Sequence, residues 1–171
     1  FLTSDYGLED SSIDYATFEE AASVSEDTTI LSDSSKQYTI NGVVQASQSF
    51  GNVLQEMMTS CGGTLFWGAG AWRLFVGAFV APTKILTLDD LRSGISLDTK
   101  MSMANNFNAV RGTFVDADEG WVSADYPQIN SSVFLTEDNN LESILDLALP
   151  YTTNPVAAQR LAKQMLYRNR E

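Results

Sequence analysis

Residues 105–116 read NNFNAVRGTFVD, and residues 149–162 read LPYTTNPVAAQRLA. The first stretch alternates apolar and polar residues over 107–115, which is typical of a half-buried strand. In the second, Asn154 is placed to cap a helix with Pro155 in its first turn, where the missing N–H of proline breaks no helical hydrogen bond. The two stretches predict strands with a helix packed on them, and therefore an α+β fold.

The rest of the C-terminal part extends this pattern. An antiparallel set of strands is predicted from four alternating segments, 107–115, 121–126, 132–136 and 141–148. The final helix has a packing face made of Ala158, Leu161, Ala162 and Met165. We therefore expect an antiparallel β set with the C-terminal helix packed on it.

The middle of the chain predicts a strand followed by a helix. Residues 38–44 are rich in strand-forming side chains, and Gly42 marks the position of a bulge. Apolar residues at helical spacing then predict a helix over 50–60. Either Ser47 or Ser49 is placed to cap its N-terminus.

A hairpin is predicted directly after this helix, which completes a strand-helix-hairpin unit. Gly62 or Gly63 is expected to end the helix, because glycine accepts the left-handed conformation there. Residues 64–67 and 71–76 are apolar strands joined across Gly68-Ala69-Gly70. Both strands are apolar on both faces, which predicts burial or a contact between subunits.

The first part of the chain predicts one short helix. Asp14 is placed to cap it, and the helix is expected to end near Val24. Tyr15, Phe18 and Ala22 lie at helical spacing and form the expected packing face.

Two connecting regions are predicted outside these elements. Residues 25–35 are polar and acidic and indicate a loop. After Pro82 interrupts the chain, residues 87–91 predict one capped helical turn. Ile95 and Leu97 favour a further short strand.

These elements divide the chain into three segments. Residues 1–35 are an entry segment with a short helix and an acidic loop, 36–104 the strand-helix-hairpin subdomain, and 105–171 the antiparallel β subdomain with its C-terminal helix. Whether they share one core or form two is left open. Because the chain begins at Phe1, with no signal sequence, and stops within a helical pattern, we expect a fragment of a longer protein.

Charge limits the classes of partner. The chain has a net charge of −12, and residues 1–35 hold nine acidic side chains and no basic one. Residues 112–159 hold eight acidic side chains and again no basic one. Such surfaces repel phosphates, so no specific nucleic-acid binding is expected. One cysteine permits no intrachain disulfide, which suits a reducing cytoplasm.

The composition also argues against catalysis. There is no histidine, which removes Ser-His and Cys-His nucleophilic pairs and the usual zinc sites. Cys61 follows the apolar face of its helix and is expected to be a small core residue. The glycines at 62–63 and 68–70 fit neither a dinucleotide-binding fingerprint nor a P-loop. We predict no enzyme, and no catalytic, cofactor or metal residue.

A few residues remain as weaker candidates. Residues 116–120 fail the EF-hand spacing and predict a solvated turn. An opportunistic ion site over Asp138, Asn140 and Glu142 is a weak alternative. Trp67 and Trp72 are expected to pack in a core or interface. Trp121, after an acidic turn, is expected to be partly exposed.

Five motifs, in this order, resemble one family. They are Tyr6-Gly7-Leu8 with Ile13-Asp14-Tyr15, the strand motif 38–43, Cys61-Gly62-Gly63-Thr64-Leu65 with Gly70-Ala71-Trp72-Arg73-Leu74, Asn108-Ala109-Val110-Arg111, and 152–162. Together they resemble the phage tail protein family that includes the tip attachment protein, or central tail hub, of lambda-like long-tailed phages and prophages. The acidic segments 9–12 and 25–35 depart from the family pattern.

The resemblance implies a structural component of a tail tip rather than an enzyme. It implies a hub that closes the tail tube and anchors host-recognition parts, assembled in the bacterial host cytoplasm and located at the virion tail tip. The implied partners are two further copies in a homotrimer, the distal tail protein, the tape-measure protein and, indirectly, a host surface receptor. In such a hub, acidic surface lining the DNA exit channel would keep the genome from sticking.

Two other functions stay open at this point. One is a carbohydrate-binding module that contacts the host envelope through Trp121 and nearby loops. The other is a cell-wall hydrolase that uses paired carboxylates, which require a fixed separation in a cleft. The sequence alone cannot show such a pair, since any chain with 22 acidic residues offers many combinations.

Overall fold

A computed structural model describes residues 7–96 and 106–170. Its helices are α1 (Tyr15–Ser25), α2 (Phe50–Ser60), α3 (Ser132–Glu137) and α4 (Pro155–Arg168). Its strands are β1 (Thr64–Gly68), β2 (Ala71–Phe75), β3 (Ala109–Asp116), β4 (Val122–Asn130) and β5 (Ile144–Leu149). Single 3₁₀ turns lie at Asp10–Ser12 and Leu88–Asp90. The predicted α+β class is confirmed.

The strands form two sheets. One is the pair β1-β2, and the other has three strands in the order β4-β3-β5, with β3 at its centre. β4 is antiparallel to β3, with a bulge between Val110 and Gly112, whereas β5 is parallel to β3. The prediction that all these strands are antiparallel is therefore wrong for β5. Residues 131–143 cross the end of β3 and return the chain to the sheet beside Ala109, so β5 runs in the same direction as β3.

The predicted strand over 132–136 is also wrong, because this segment forms α3. The hydroxyl of Ser131 accepts a hydrogen bond from the backbone N–H of Phe134, which caps the helix. A five-residue alternating pattern is too short to separate a strand from a single helical turn, and here the cap decides the outcome.

The helix and hairpin predicted in the middle of the chain are confirmed. Ser49, rather than Ser47, accepts the capping hydrogen bond of α2, and Gly62 follows the helix with a φ of 57°. β1 and β2 pair antiparallel across Ala69 and Gly70, whose φ values of 53° and 84° give a turn that matches the strand twist.

Residues 38–44 form no strand, so the strand-helix-hairpin unit lacks its predicted first member. The segment is held by isolated contacts instead of a ladder. The backbone N–H of Asn41 donates to the carbonyl of Tyr151 at 2.9 Å. Gly42 packs so closely on the Tyr151 ring that an added Cβ would lie 2.6 Å from it.

The N-terminal helix is confirmed, but its predicted details are not. The carboxylate of Asp14 makes no cap and instead pairs with Arg73 of β2 at 3.2 Å. Ala21 is the buried residue of α1, and Ala22 is exposed. The helix packs on β2, where the backbone N–H of Leu74 donates to the hydroxyl of Thr17 at 3.2 Å.

The remaining connecting regions have mixed outcomes. The turn predicted over 87–91 is confirmed as a 3₁₀ turn with a capping box between Thr87 and Asp90. Ile95 lies in no strand, and Leu97, the other residue of that predicted strand, lies outside the described residues.

One cluster of buried side chains joins the early and late parts of the chain. α4 packs against β3 and β4 through Ala158, Leu161, Ala162 and Leu166. Met165, predicted on this face, is 37% exposed because the packing face turns toward Leu166 instead. Buried residues of earlier segments belong to the same cluster, namely Ala21, Tyr38, Cys61 and Val76. The three-segment division itself stays a prediction, and its boundary at 104–105 lies outside the described residues.

Gly112 offers a stability test with a matched control. A Cβ at Gly112 would overlap the backbone of Leu147 in the paired strand β5, so Gly112→Ala should lower the free energy of unfolding by about 3 kcal/mol. Gly51 lies in α2 with no atom within 4 Å of an added Cβ, and Gly51→Ala should raise it by roughly 0.5–1 kcal/mol. Urea denaturation measures both. Equal effects of the two substitutions would contradict the close β3–β5 contact.

Candidate functional site

A groove lies between α2 and α4, called here the α2–α4 groove. Its volume is about 690 Å³. Met58 of α2 and Met165 of α4 face it from opposite walls, and the chain from Phe75 to Phe79 forms one end. These residues come from three separate parts of the sequence, which the fold brings together.

Glycines make the floor of the groove possible. The backbone N–H of Gly77 donates to the carbonyl of Cys61 at 3.1 Å, so two chain segments cross closely there. A Cβ at Gly63 would lie 2.7 Å from the carbonyl oxygen of Phe75, and a Cβ at Gly77 would lie 2.9 Å from the hydroxyl of Tyr38. Larger residues at these positions would push the segments apart and remove the floor.

A buried tyrosine fixes the floor to α4. Tyr38 is 5% exposed, and its hydroxyl donates to the carbonyl of Gly77 at 2.6 Å. The side-chain amide of Gln164 donates to the same hydroxyl at 3.0 Å and to the Gly77 carbonyl at 3.3 Å. These polar groups satisfy one another's hydrogen bonds and hold the floor of the groove against α4.

The lining of the groove is apolar with a basic rim. Met58, Phe75 and Met165 supply apolar surface, and Arg160 and Arg168 supply two positive charges. The guanidinium of Arg160 lies over the ring of Tyr38, 5.2 Å from its centroid. Among the described residues, no aspartate or glutamate lines the groove, although the chain has a net charge of −12. The groove therefore favours an apolar partner that carries negative charge.

Cys61 lies beside the groove floor and is buried, as the sequence predicts. Its thiol donates to the carbonyl of Met58 at 3.3 Å. Burial raises the pKa of the Cys61 thiol, so the thiolate needed for nucleophilic attack is disfavoured.

The tryptophans of the hairpin occupy its outer surface. Trp67 and Trp72 meet edge to face with 5.6 Å between ring centroids. Trp67 is exposed and Trp72 half-buried, so a core position is wrong for Trp67, and an interface position stays a prediction. The two rings meet across the strand pair because Trp67 and Trp72 are register partners.

Trp121 is partly exposed, as predicted, with 60% of its surface accessible. It follows a closed acidic turn in which the carboxylate of Asp116 accepts from the backbone N–H of Asp118 at 2.9 Å. Gly120 and Trp121 both have positive φ, at 79° and 64°. The left-handed backbone at Trp121 directs an indole out of the end of the β3–β4 hairpin.

Asp138 and Glu142, two members of the weak ion site, have different protein partners. The carboxylate of Asp138 accepts from Arg170 and, at 2.8 Å, from Asn108. Glu142 accepts from Gln128 at 3.0 Å. Asn140 lies in a turn with a φ of 60°. The described residues contain no group of three or more acidic or cysteine side chains arranged for a metal ion.

The hydrogen bonds from Arg170 and Asn108 lower the pKa of Asp138. Its charged form therefore stabilises the fold above the unfolded-state pKa of about 3.9, and this contribution is lost as pH falls through the lower folded-state value. The same carboxylate holds Arg170, near the end of the described chain, against the start of β3.

Comparison with known proteins adds no family. No protein-family model matches the chain, and no curated protein matches it either. The resemblance to the tail protein family therefore stays a prediction. In the described residues, no helix combines the length and the apolar content that crossing a membrane requires.

The α2–α4 groove was missed at the sequence level. In the sequence, the groove is indicated only by the glycines at 62, 63 and 77. The first two of these predict no more than the end of a helix. The part-buried Asp138–Arg170 pair carries no sequence pattern, since 32 residues separate its members.

Asp138→Asn tests the pH dependence of this pair. At neutral pH the variant should unfold at lower urea than the parent, and the gap should shrink progressively below about pH 4, because the parent then loses its charged carboxylate too. Asp118→Asn, at an exposed turn position, makes the same charge change and should move the midpoint little. A gap that stays constant with pH would contradict the assigned role of Asp138.

Proposed function

We propose that this chain is a structural part of a phage or prophage tail tip, a hub component that closes the tail tube and anchors host-recognition parts. One observation carries the proposal: large apolar side chains lie exposed on two surfaces. One surface is the β1–β2 hairpin with Phe66, Trp67 and Phe75, and the other is the segment 79–96, called here the arm. Extended apolar surfaces of this kind are typical of proteins that work in contact with others.

The arm makes the strongest case for assembly. Phe79 is 90% exposed, Ile85 87% and Leu88 80%. Exposure of several such side chains in one short segment is unfavourable in water, and burial of each against a partner is worth about 1.5–3 kcal/mol. Docking to neighbouring proteins, which would bury these side chains, explains why they lie exposed in the single chain.

The groove chemistry supports the same class of function. Gln164, a polar residue of its lining, is hydrogen-bonded to the buried Tyr38 hydroxyl and to the Gly77 carbonyl. The two arginines at its rim can attract a charged partner, and its apolar walls can bury one. These properties favour a docking surface over a catalytic cleft.

The tail tip is chosen among assembly roles because of the ordered sequence motifs described above. On this proposal the full-length protein forms a homotrimer at the virion tail tip, beside the distal tail and tape-measure proteins, and assembles in the host cytoplasm. The acidic surface would face passing DNA and repel it.

Binding to neighbouring tail proteins tests the proposal. The chain should co-purify with the distal tail or tape-measure protein encoded beside it. Trp67→Ala should weaken that binding by roughly tenfold or more, because exposed tryptophans are frequent interface hot spots. Val133→Ala, at an exposed position of α3, is the matched control and should leave binding unchanged. Failure of the parent chain to bind either tail protein would overturn the proposal.

A second candidate is carbohydrate binding at Trp121, favoured by its exposed indole on a loop. Aromatic faces with nearby carboxylates suit sugar rings and their hydroxyls, and Asp116 and Glu119 lie in the adjoining turn. If this function is correct, the chain binds to envelope glycans on an array, and Trp121→Ala lowers the bound protein signal at least about tenfold. Trp67→Ala should leave this signal unchanged. An array without any bound glycan would dismiss this candidate.

A further inference from the structure

We propose that Asn41 is a site of spontaneous deamidation, and that its isoaspartyl product releases the segment 38–44 from Tyr151. Deamidation converts the side-chain amide of an asparagine into a carboxylate through attack by the next backbone nitrogen. Asn41-Gly42 is the only asparagine-glycine pair in the sequence. Glycine in the second position favours the attack, because it has no side chain that keeps the amide away from its nitrogen.

The fold leaves the attacking nitrogen of Gly42 free. Asn41 and Gly42 are exposed and lie in no helix or strand. Among the described residues, the backbone N–H of Gly42 donates to no acceptor. The amide of Asn41 donates to the hydroxyl of Thr153 at 3.0 Å, an exposed hydrogen bond that water can replace at little cost. The side-chain carbonyl carbon of Asn41 can therefore reach the Gly42 nitrogen.

Asn130 is the matched comparison within the same chain. It is exposed like Asn41, and it precedes Ser131, whose side chain is also small. The backbone N–H of Ser131, however, donates to the carbonyl of Asn108 at 3.2 Å. Attack by this nitrogen requires that hydrogen bond to break first, so the fold protects Asn130 and leaves Asn41 reactive.

The fold also requires the glycine that makes Asn41 reactive. A Cβ at Gly42 would lie 2.6 Å from a ring carbon of Tyr151, and that ring is buried, with 4% of the residue accessible. On the other side of the same contact, the backbone N–H of Asn41 donates to the Tyr151 carbonyl at 2.9 Å. The contact that positions this segment therefore excludes a larger residue after Asn41.

The reaction consumes only water. The Gly42 nitrogen gives its proton to a base and bonds to the side-chain carbonyl carbon of Asn41, while the bond from that carbon to the amide nitrogen breaks and ammonia leaves. Water then opens the cyclic imide at one of its two carbonyl carbons. Opening at the side-chain carbonyl gives aspartate, and opening at the main-chain carbonyl gives isoaspartate. Either product makes the net charge of −12 more negative by one, which gives −13.

The two products affect the segment 38–44 differently. The aspartyl product keeps the backbone, and the hydroxyl of Thr153 can donate to the new carboxylate. In the isoaspartyl product the main chain runs through the side-chain carbons, so one extra methylene lies between the N–H of residue 41 and Gly42. Gly42 then no longer fits against the Tyr151 ring while that N–H keeps its hydrogen bond to the Tyr151 carbonyl. The segment loses one of the two contacts.

Ageing of the folded chain at mildly alkaline pH tests the site. Isoelectric focusing should reveal a species with one more negative charge. Peptide mapping by mass spectrometry should place at least about tenfold more conversion at Asn41 than at Asn130, where a hydrogen bond adds to the barrier. Asn41→Gln should remove the acidic species, because the longer side chain closes the imide ring poorly.

Three outcomes would overturn the site. One is conversion of Asn41 only after the chain is unfolded in guanidinium, which would show that the contacts with Tyr151 and Thr153 protect it. The others are equal conversion of Asn41 and Asn130 in the folded chain, and an acidic species that persists in Asn41→Gln.

Urea denaturation tests the release of the segment. The isolated isoaspartyl form should unfold at a lower urea midpoint than the parent, because it has lost a contact with Tyr151. Asn41→Asp reproduces the other product with the same charge and should unfold close to the parent midpoint. An isoaspartyl form as stable as Asn41→Asp would overturn the release.

Discussion

The packing of α4 on the β4-β3-β5 sheet is the interaction on which the rest of the structure depends. Ala158 and Ala162 are fully buried, and their small side chains let the helix lie close to β3 and β4. From the same helix, Gln164 reaches the hydroxyl of Tyr38, and Arg160 lies over the Tyr38 ring. This helix therefore helps to fix the early part of the chain to the late part, together with the contacts of Asn41 and Gly42 to Tyr151.

The sequence predicted the elements whose signals are local. Asn154, Ser49 and the Ala69-Gly70 turn each act on their own neighbours, and the elements they define are confirmed. The prediction from sequence was wrong where contacts between distant residues determine the structure. The parallel direction of β5 depends on the route of residues 131–143, and the path of the segment 38–44 depends on its contacts with Tyr151. The local pattern contains neither.

The candidate site was beyond prediction for the same physical reason. The groove needs Met58, Gly77 and Met165 in one place, and each has an ordinary structural role in its own segment. Charge was more informative, because the contrast between acidic segments and the basic final helix was visible in the sequence. What the fold adds is that two of those arginines, Arg160 and Arg168, line an apolar groove.

The hydrogen bond between Tyr38 and Gln164 spans 126 positions of the chain. During synthesis on the ribosome, the floor of the groove is therefore incomplete until α4 has emerged from the exit tunnel. The arm precedes α4 by some sixty residues of translation, which take on the order of several seconds at typical elongation rates. Until then the Tyr38 hydroxyl and the Gly77 carbonyl lack their partner on α4, so the floor of the groove closes only after α4 is available to fold.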